Sequence, residues 1–227
     1  MNDSPHLHEL RESLGQRFQL TQTATQAGGR ELTFYHPSSV DDLLDEEAFN
    51  RDGRIPYWSE LWPAARVLAD WLVRQSGNRQ RTLELGCGVG CGAIAATIAG
   101  FDVTASDYYA EALDFVRLNA LSNQVAAPQT MLLDWRAWPT ELAPFDVVIA
   151  ADVLYEPQLG ELVAAAIDRA LRPGGWALVT DPQRRHIDGF LAACRTHALQ
   201  VTRQASQAVE HRGALVTTDV YRIDKRE

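Results

Sequence analysis

No run of apolar residues in this sequence approaches the roughly 18 that a membrane-spanning helix needs. The opening Met1-Asn2-Asp3-Ser4-Pro5-His6 also lacks the basic start and apolar stretch of a secretory signal. The expectation is a cytoplasmic chain with no membrane partner. Cysteine is scarce: Cys87, Cys91 and Cys194 are an odd number, which excludes a disulfide framework and suits a reducing compartment. Cys87 and Cys91 have no second Cys/His pair at zinc spacing, and His6, His8 and Glu9 sit in a terminal stretch, so no metal site is expected. Positive charge is in deficit as well, with a formal net charge of −9. Binding to a phosphate backbone relies on clustered Lys and Arg, so no nucleic-acid partner is expected. The short basic run Arg184-Arg185-His186 reads as a solvated surface. An acidic surface favours a cationic partner, either a protein bearing Lys or Arg or a small amine.

What is present is an ordinary globular composition, 46% apolar and 22% charged over 227 residues, enough for one buried core. From Thr82 onward short apolar runs alternate with amphipathic stretches. The runs are 82–85, 102–105, 131–133, 146–150 and 176–180, with further candidates near 200–205 and 215–223. Between them, Ala112, Phe115, Val116 and Asn119 share one helical face, and Leu159 to Leu171 is apolar at helical spacing until Arg172-Pro173-Gly174-Gly175 ends it. This pattern predicts an α/β fold: a Rossmann-like, doubly wound, seven-stranded sheet, mostly parallel with an antiparallel last strand, and helices on both faces. Residues 1–57 read as an N-terminal extension packed on the domain 58–227. In that extension 18–23 and 30–35 flank Gly28-Gly29 like a hairpin, and Asp41 to Asn50 is an acidic, helix-compatible piece.

The most informative stretch is Glu84-Leu85-Gly86-Cys87-Gly88-Val89-Gly90, leading through Gly92 into the helix Ala93-Ile94-Ala95-Ala96. Glycines between a strand and a helix N-terminus let a ligand approach bare backbone, so a nucleotide-like ligand is expected. Glycines alone do not choose it, because Gly88-Val89-Gly90-Cys91-Gly92-Ala93 also satisfies the dinucleotide pattern. Asp107, about 20 positions on, suits ribose hydroxyls in either reading. Glu84 is either a solvent-facing strand residue or an acidic contact beside the glycines. Asp134-Trp135 after the third strand is placed to meet a purine, the carboxylate accepting from an exocyclic amine and the indole packing on the ring, with Trp135 as plain core the alternative.

With these residues the chain resembles the seven-stranded class I methyltransferases, and within them methyltransferase family 16, which contains many protein-lysine methyltransferases. The resemblance covers about Tyr57 to Thr180. It rests on Trp58-Ser59-Glu60-Leu61-Trp62-Pro63-Ala64-Ala65, on the glycine turn, on Asp134-Trp135 and on Asp152-Val153-Leu154-Tyr155, which matches the family's Asp-x-x-Tyr motif. It implies S-adenosylmethionine as cofactor and S-adenosylhomocysteine as product. Contacts to the cofactor are implied for Trp62, Gly86, Cys87, Gly88, Asp107, Trp135 and Ala151, with Glu84 near its cationic methionine end and Asp134 on the adenine side. Asp152 and Tyr155 take acceptor-side, catalytic roles. No Asn-Pro-Pro-Tyr motif follows the fourth strand, which disfavours nucleic-acid and glutamine acceptors.

The implied reaction is transfer of a methyl group to a lysine side chain of a protein. The alternatives are a small-molecule amine methyltransferase resembling nicotinamide N-methyltransferase and, more remotely, an NAD-dependent oxidoreductase on the same loop. For a lysine acceptor, Asp152 orients the ammonium and Tyr155 offers a hydroxyl and a ring face. Asp152 as a helix N-cap and Tyr155 as core are the competing roles. Tyr57, Trp58 and Trp62 are candidates for an aromatic channel, with Trp58 and Trp71 equally suited to packing, and Glu60 is a second acidic candidate.

Overall fold

The computed structural model describes residues 5–40, 43 and 55–227; most of the acidic piece 41–50 lies outside them. The elements in chain order are α1 (Pro5–Arg17), β1 (Leu20–Ala27), β2 (Arg30–Pro37), α2 (Pro63–Leu72), β3 (Arg81–Leu85), α3 (Cys91–Ile98), β4 (Asp102–Asp107), α4 (Ala110–Ser122), β5 (Gln129–Leu132), β6 (Phe145–Ala151), α5 (Leu159–Ala170), β7 (Leu171–Asp181), α6 (Ile187–Thr196), β8 (Leu199–His211) and β9 (Ala214–Lys225).

The main sheet has seven strands in the order β5-β4-β3-β6-β7-β9-β8. Strands β3 to β7 run parallel, and β9, antiparallel to both neighbours, is inserted between β7 and β8. Strand direction explains the burial. Leu83 and Leu85 of β3 enter the core cluster shared with α5 and α6, as do Val148 and Ala150 of β6. Val147 and Ile149 point the other way, into the cluster built with α2, α3 and α4. Alternation on a sheet covered on both faces makes every position apolar, which is why these strands read as short unbroken apolar runs. The chain moves outward from β3 to β4 and β5, then returns to place β6 on the other side of β3. That reversal leaves a crevice at the carboxyl ends of β3 and β6, where open α/β sheets bind ligands.

The expected hairpin is there. Gly28 and Gly29 both have positive φ, 59° and 82°, in a two-residue turn between Ala27 and Arg30. Leu14, Leu32 and Phe34 are buried in the same cluster as Phe115 of α4, so the N-terminal segment completes the core. Asparagines of α4 hold it. Asn119 accepts the Tyr35 N–H and donates to the carbonyls of Tyr35 and Val89, while Asn123 accepts the Thr33 N–H and donates to its carbonyl. These side chains satisfy the outer edge of β2 as a neighbouring strand would, and Asn119 ties that edge to the glycine turn.

Two sequence expectations need adjustment. Arg172-Pro173-Gly174-Gly175 does not simply end a helix: α5 stops at Ala170, β7 has already begun, and the four residues bulge out of it between the pairs Phe145↔Leu171 and Val147↔Trp176. The strand candidates near 200–205 and 215–223 also extend further than their apolar residues suggested. Strands β8 and β9 stay paired to His211↔Ala214, because a hairpin closed by Arg212 and Gly213, both at positive φ, lets alternating residues pair far beyond the apolar part.

Candidate active site

The cradle starts where β3 ends. Gly86 has φ +67°, and a Cβ there would lie 3.2 Å from Val153 and 3.4 Å from the Trp135 ring, so the turn needs the absent side chain twice over. At Gly92, in the first turn of α3, an added Cβ would fall on the Glu84 carboxylate. That close approach lets Glu84 reach the N-terminal end of α3, where the Ala93 N–H donates to it. Glu84 is 2% exposed and its Oε2 has no hydrogen-bond partner. Burial pushes the carboxyl up to about 8, with the negative charge of Asp107 adding to the effect. It is therefore no solvent-facing strand residue: it is a buried acid with one oxygen waiting for a donor, in the wall of a cleft.

Asp107 ends β4, and its oxygens accept the N–H groups of Gly88 and Tyr109, each at 3.0 Å, which fixes the glycine turn to the next strand. Burial raises it to about 6. A carboxylate has about four lone-pair sites, so ribose-type hydroxyls can still be accepted. Asp134 is more committed than the sequence suggested. It accepts the Arg136 N–H, capping the 3-10 turn Trp135–Ala137, and grips the Arg136 guanidinium at 2.9 and 2.7 Å. Arg136 in turn lies over the Tyr108 ring at 5.5 Å. Trp135 is half-buried beside Gly86 and packs against the core cluster that includes residues of α5.

On the opposite wall, β6 delivers Ala151 and then Asp152, whose φ of +57° turns the chain sharply while its N–H holds the Thr180 carbonyl at 2.9 Å. Asp152 caps no helix, since the N-cap of α5 is Gln158. Its buried carboxylate is gripped by both arms of Arg184, at 2.8 and 3.0 Å. The basic run Arg184-Arg185-His186 is thus only partly the solvated surface expected of it, because Arg184 turns inward.

Tyr155 meets the Tyr57 ring edge to face at 5.1 Å, and burial raises its hydroxyl above the ordinary tyrosine range. Tyr57 also meets Trp62 at 5.9 Å and accepts its indole N–H at 2.8 Å. Pro63 begins α2 immediately afterwards, which sets Trp62 in extended backbone at the helix start. Trp58 proves to be a packing anchor among Phe18, Tyr109 and Phe115. Glu60 is paired with Arg212 at 2.8 Å and His211 at 3.5 Å, so the tip of the β8–β9 hairpin folds onto this wall.

Trp62, Glu84, Gly86, Cys87, Gly88, Asp107, Asp134, Trp135, Ala151, Asp152 and Tyr155 all line one cleft. Sequence reasoning missed Tyr108, Tyr109 and Arg136 in that cleft, and Arg184 beside it. Tyr108 and Tyr109 follow Asp107 directly and were findable; Arg184 carried no local signal. Among the described residues no group of three or more His, Cys, Asp and Glu is placed to hold a metal, and no helix is long and apolar enough to cross a membrane.

A Rossmann-like sheet with a glycine turn at its switch point and acids closing β3 and β4 is the architecture of class I methyltransferases. Comparison with known proteins agrees: the chain belongs to the family described as lysine methyltransferase, methyltransferase family 16, whose model matches residues 48–194. It is 32% identical over 136 residues to the electron transfer flavoprotein beta subunit lysine methyltransferase of Xenopus laevis, covering 57% of this chain and 53% of that protein. It is 33% identical over 114 residues to the human histone-arginine methyltransferase METTL23, covering 47% of this chain and 60% of that one. The chain spans about half the length of the curated relatives it matches first. Among solved structures, SMU.776 in complex with S-adenosylhomocysteine superposes with a TM-score of 0.63 at 11% identity, covering 89% of this chain and 56% of that one, a likeness of fold.

Proposed function

We propose that this protein is a cytoplasmic, S-adenosylmethionine-dependent N-methyltransferase acting on a lysine side chain of a protein substrate. The observation that carries the cofactor reading is the buried Glu84 with its unpartnered oxygen beside the glycine turn. A buried acid of this kind needs a cationic or hydrogen-bond-donating partner, and the amino group of a methionine moiety is one. A dinucleotide puts pyrophosphate at this turn, which offers the buried Glu84 no cation to pair with, and that tells against the oxidoreductase alternative. Glu84 and the backbone of Gly86 to Gly88 would hold the amino-acid end, Asp107 the ribose, and Trp135 with Asp134 the adenine. When bound, the cofactor supplies an electrophilic methyl group on a positively charged sulfur.

The chain's own residues do the rest. Tyr57, Trp62 and Tyr155 form an aromatic wall that packs against an alkyl chain, excludes water and offers ring faces to a cation. Asp152 accepts a hydrogen bond from the acceptor nitrogen and sets its direction. Lysine has a reference pKa of about 10.4 and must shed a proton before attack, so the site has to favour the neutral amine as well as orient it. Family membership and relatives described as acting on proteins support a protein acceptor over a small amine. Buried, unlinked Cys87, Cys91 and Cys194 suit the reducing cytoplasm.

Incubation with tritiated S-adenosylmethionine and a cell lysate tests the reading. Label is expected in protein bands, as methyl-lysine after hydrolysis. Label confined to small molecules would replace the protein acceptor with a small amine, and NAD binding in place of S-adenosylhomocysteine would end the methyltransferase reading.

A further inference from the structure

Around Asp152 stands a charged group that this mechanism leaves unused. Arg184, on the loop between β7 and α6, grips the Asp152 carboxylate with both arms, and its guanidinium lies 5.9 Å from the Trp62 ring centroid. Its backbone N–H donates at 2.7 Å to Asp181, the fully buried last residue of β7, whose second oxygen has no partner. Asp181 is in register with Asp219 of β9, which takes hydrogen bonds from Ser206 and Tyr221 and faces Arg203 at 3.5 Å. Tyr57 faces Arg184 from the segment before α2, and Glu156 and Tyr155 lie on the other side of Asp152 in the chain. Asp152 and Asp181 thus meet Arg184 as the cation they share, while Asp219 faces Arg203 at the outer edge.

A bare Asp152 would create a difficulty for amine methylation. An opposite charge at close range favours the charged form, so an ammonium placed on an unpaired carboxylate is held protonated and has no lone pair to attack with. A carboxylate already neutralised by a guanidinium keeps lone pairs for orientation and loses most of that effect. We propose that Arg184 is a positioning residue that neutralises Asp152, so that the acceptor amine is aligned by the carboxylate yet sheds its proton to solvent water near neutral pH, before its lone pair attacks the methyl carbon and the carbon–sulfur bond breaks. Removing a partner from a buried ion pair leaves an uncompensated charge, so Arg184 stays in place during turnover. The inference rests on the proposed amine acceptor. Burial first, then Asp152 and Asp219, raise Asp181 to about 6, while the Arg184 backbone N–H and, after it, the guanidinium draw it down.

The test is a kcat profile from pH 6 to 10, with the protein labelled most strongly in the lysate, once purified, as saturating acceptor. Arg184→Gln is expected to move the acid limb upward by about one to two pH units, so that kcat at pH 7 falls roughly 10- to 100-fold and converges with the unmodified enzyme near pH 10. The acceptor KM stays level or falls, because the freed carboxylate grips ammonium more tightly. Arg184→Lys keeps the limb near its original place, and calorimetric affinity for S-adenosylhomocysteine is unchanged in both. Should the Gln variant misfold around its unpaired acid, Asp152→Asn with Arg184→Gln removes both charges; its kcat is reduced but its acid limb unmoved. Parallel profiles in the single variant, an unaltered kcat, or a shifted limb in the double variant overturn the inference alone. An unmodified enzyme that labels no protein at any pH overturns the proposed function, and this inference falls with it.

Discussion

Replacing Glu84 by Gln separates stability from binding in opposite directions. Burial raises this carboxyl from an ordinary 4.5 to about 8, so the folded protein keeps a proton that the unfolded chain releases. Between about pH 4.5 and 8 the native state binds more protons than the unfolded one, and stability falls as pH rises through that window. At about 1.4 kcal/mol per pH unit the whole window is worth at most about 5 kcal/mol, and most of it has been lost by pH 7.5. Gln carries no such penalty. Burying its amide N–H groups without an acceptor offsets about 1–3 kcal/mol, leaving a net gain of about 1–3 kcal/mol at pH 7.5. For a chain of this size that raises Tm by roughly 2–12 °C, read by calorimetry at pH 5.5 and 7.5, with the larger gain at the higher pH. Affinity for S-adenosylhomocysteine should move the other way. A charge-assisted hydrogen bond to the ligand's amino group is worth about 1.5–3 kcal/mol, so titration calorimetry should record a loss of roughly 10- to 100-fold. The unmodified protein should release a proton on binding near pH 7, seen as heats that depend on the buffer's ionisation enthalpy, and the Gln variant should not. A variant that binds as tightly as the unmodified chain and melts lower would refute the assignment of Glu84 as the buried acid awaiting a cation.

Three further outcomes follow from the geometry. Asp152→Ala should reduce methyl transfer to background while leaving calorimetric affinity for S-adenosylhomocysteine within about threefold, since its carboxylate pairs with Arg184 and its proposed role is to orient the acceptor. Gly86→Ala forces a side chain into φ +67° against Val153 and Trp135, and should cost about 1–3 kcal/mol in urea unfolding with a matching loss of cofactor affinity. Asn119→Ala removes the clamp on Tyr35 and Val89; about 2–4 kcal/mol is lost, and hydrogen exchange should show the β2 amides deprotected before the central strands.

The sequence by itself determined the sheet and the cradle, because both depend on local order along the chain. Apolar runs such as 147–150, too short for a helix and bounded by turn residues, read as strands covered on both faces, and glycines between such a run and a helix leave bare backbone for a ligand. The spacing of Glu84, Asp107 and Asp152 from their strand ends then fixed which side chains reach the crevice. Tertiary structure alone decided what those side chains touch. Glu60 meets Arg212 from the β8–β9 hairpin, and Asp152 meets Arg184 from a loop 32 residues away. Pairing of charges depends on distance in space, and on burial that makes an unpaired acid costly, neither of which is written in the neighbourhood of one residue. Arg184 lies in a basic run with every local mark of a solvated surface, and only the packing of β7 beside β6 turns it inward.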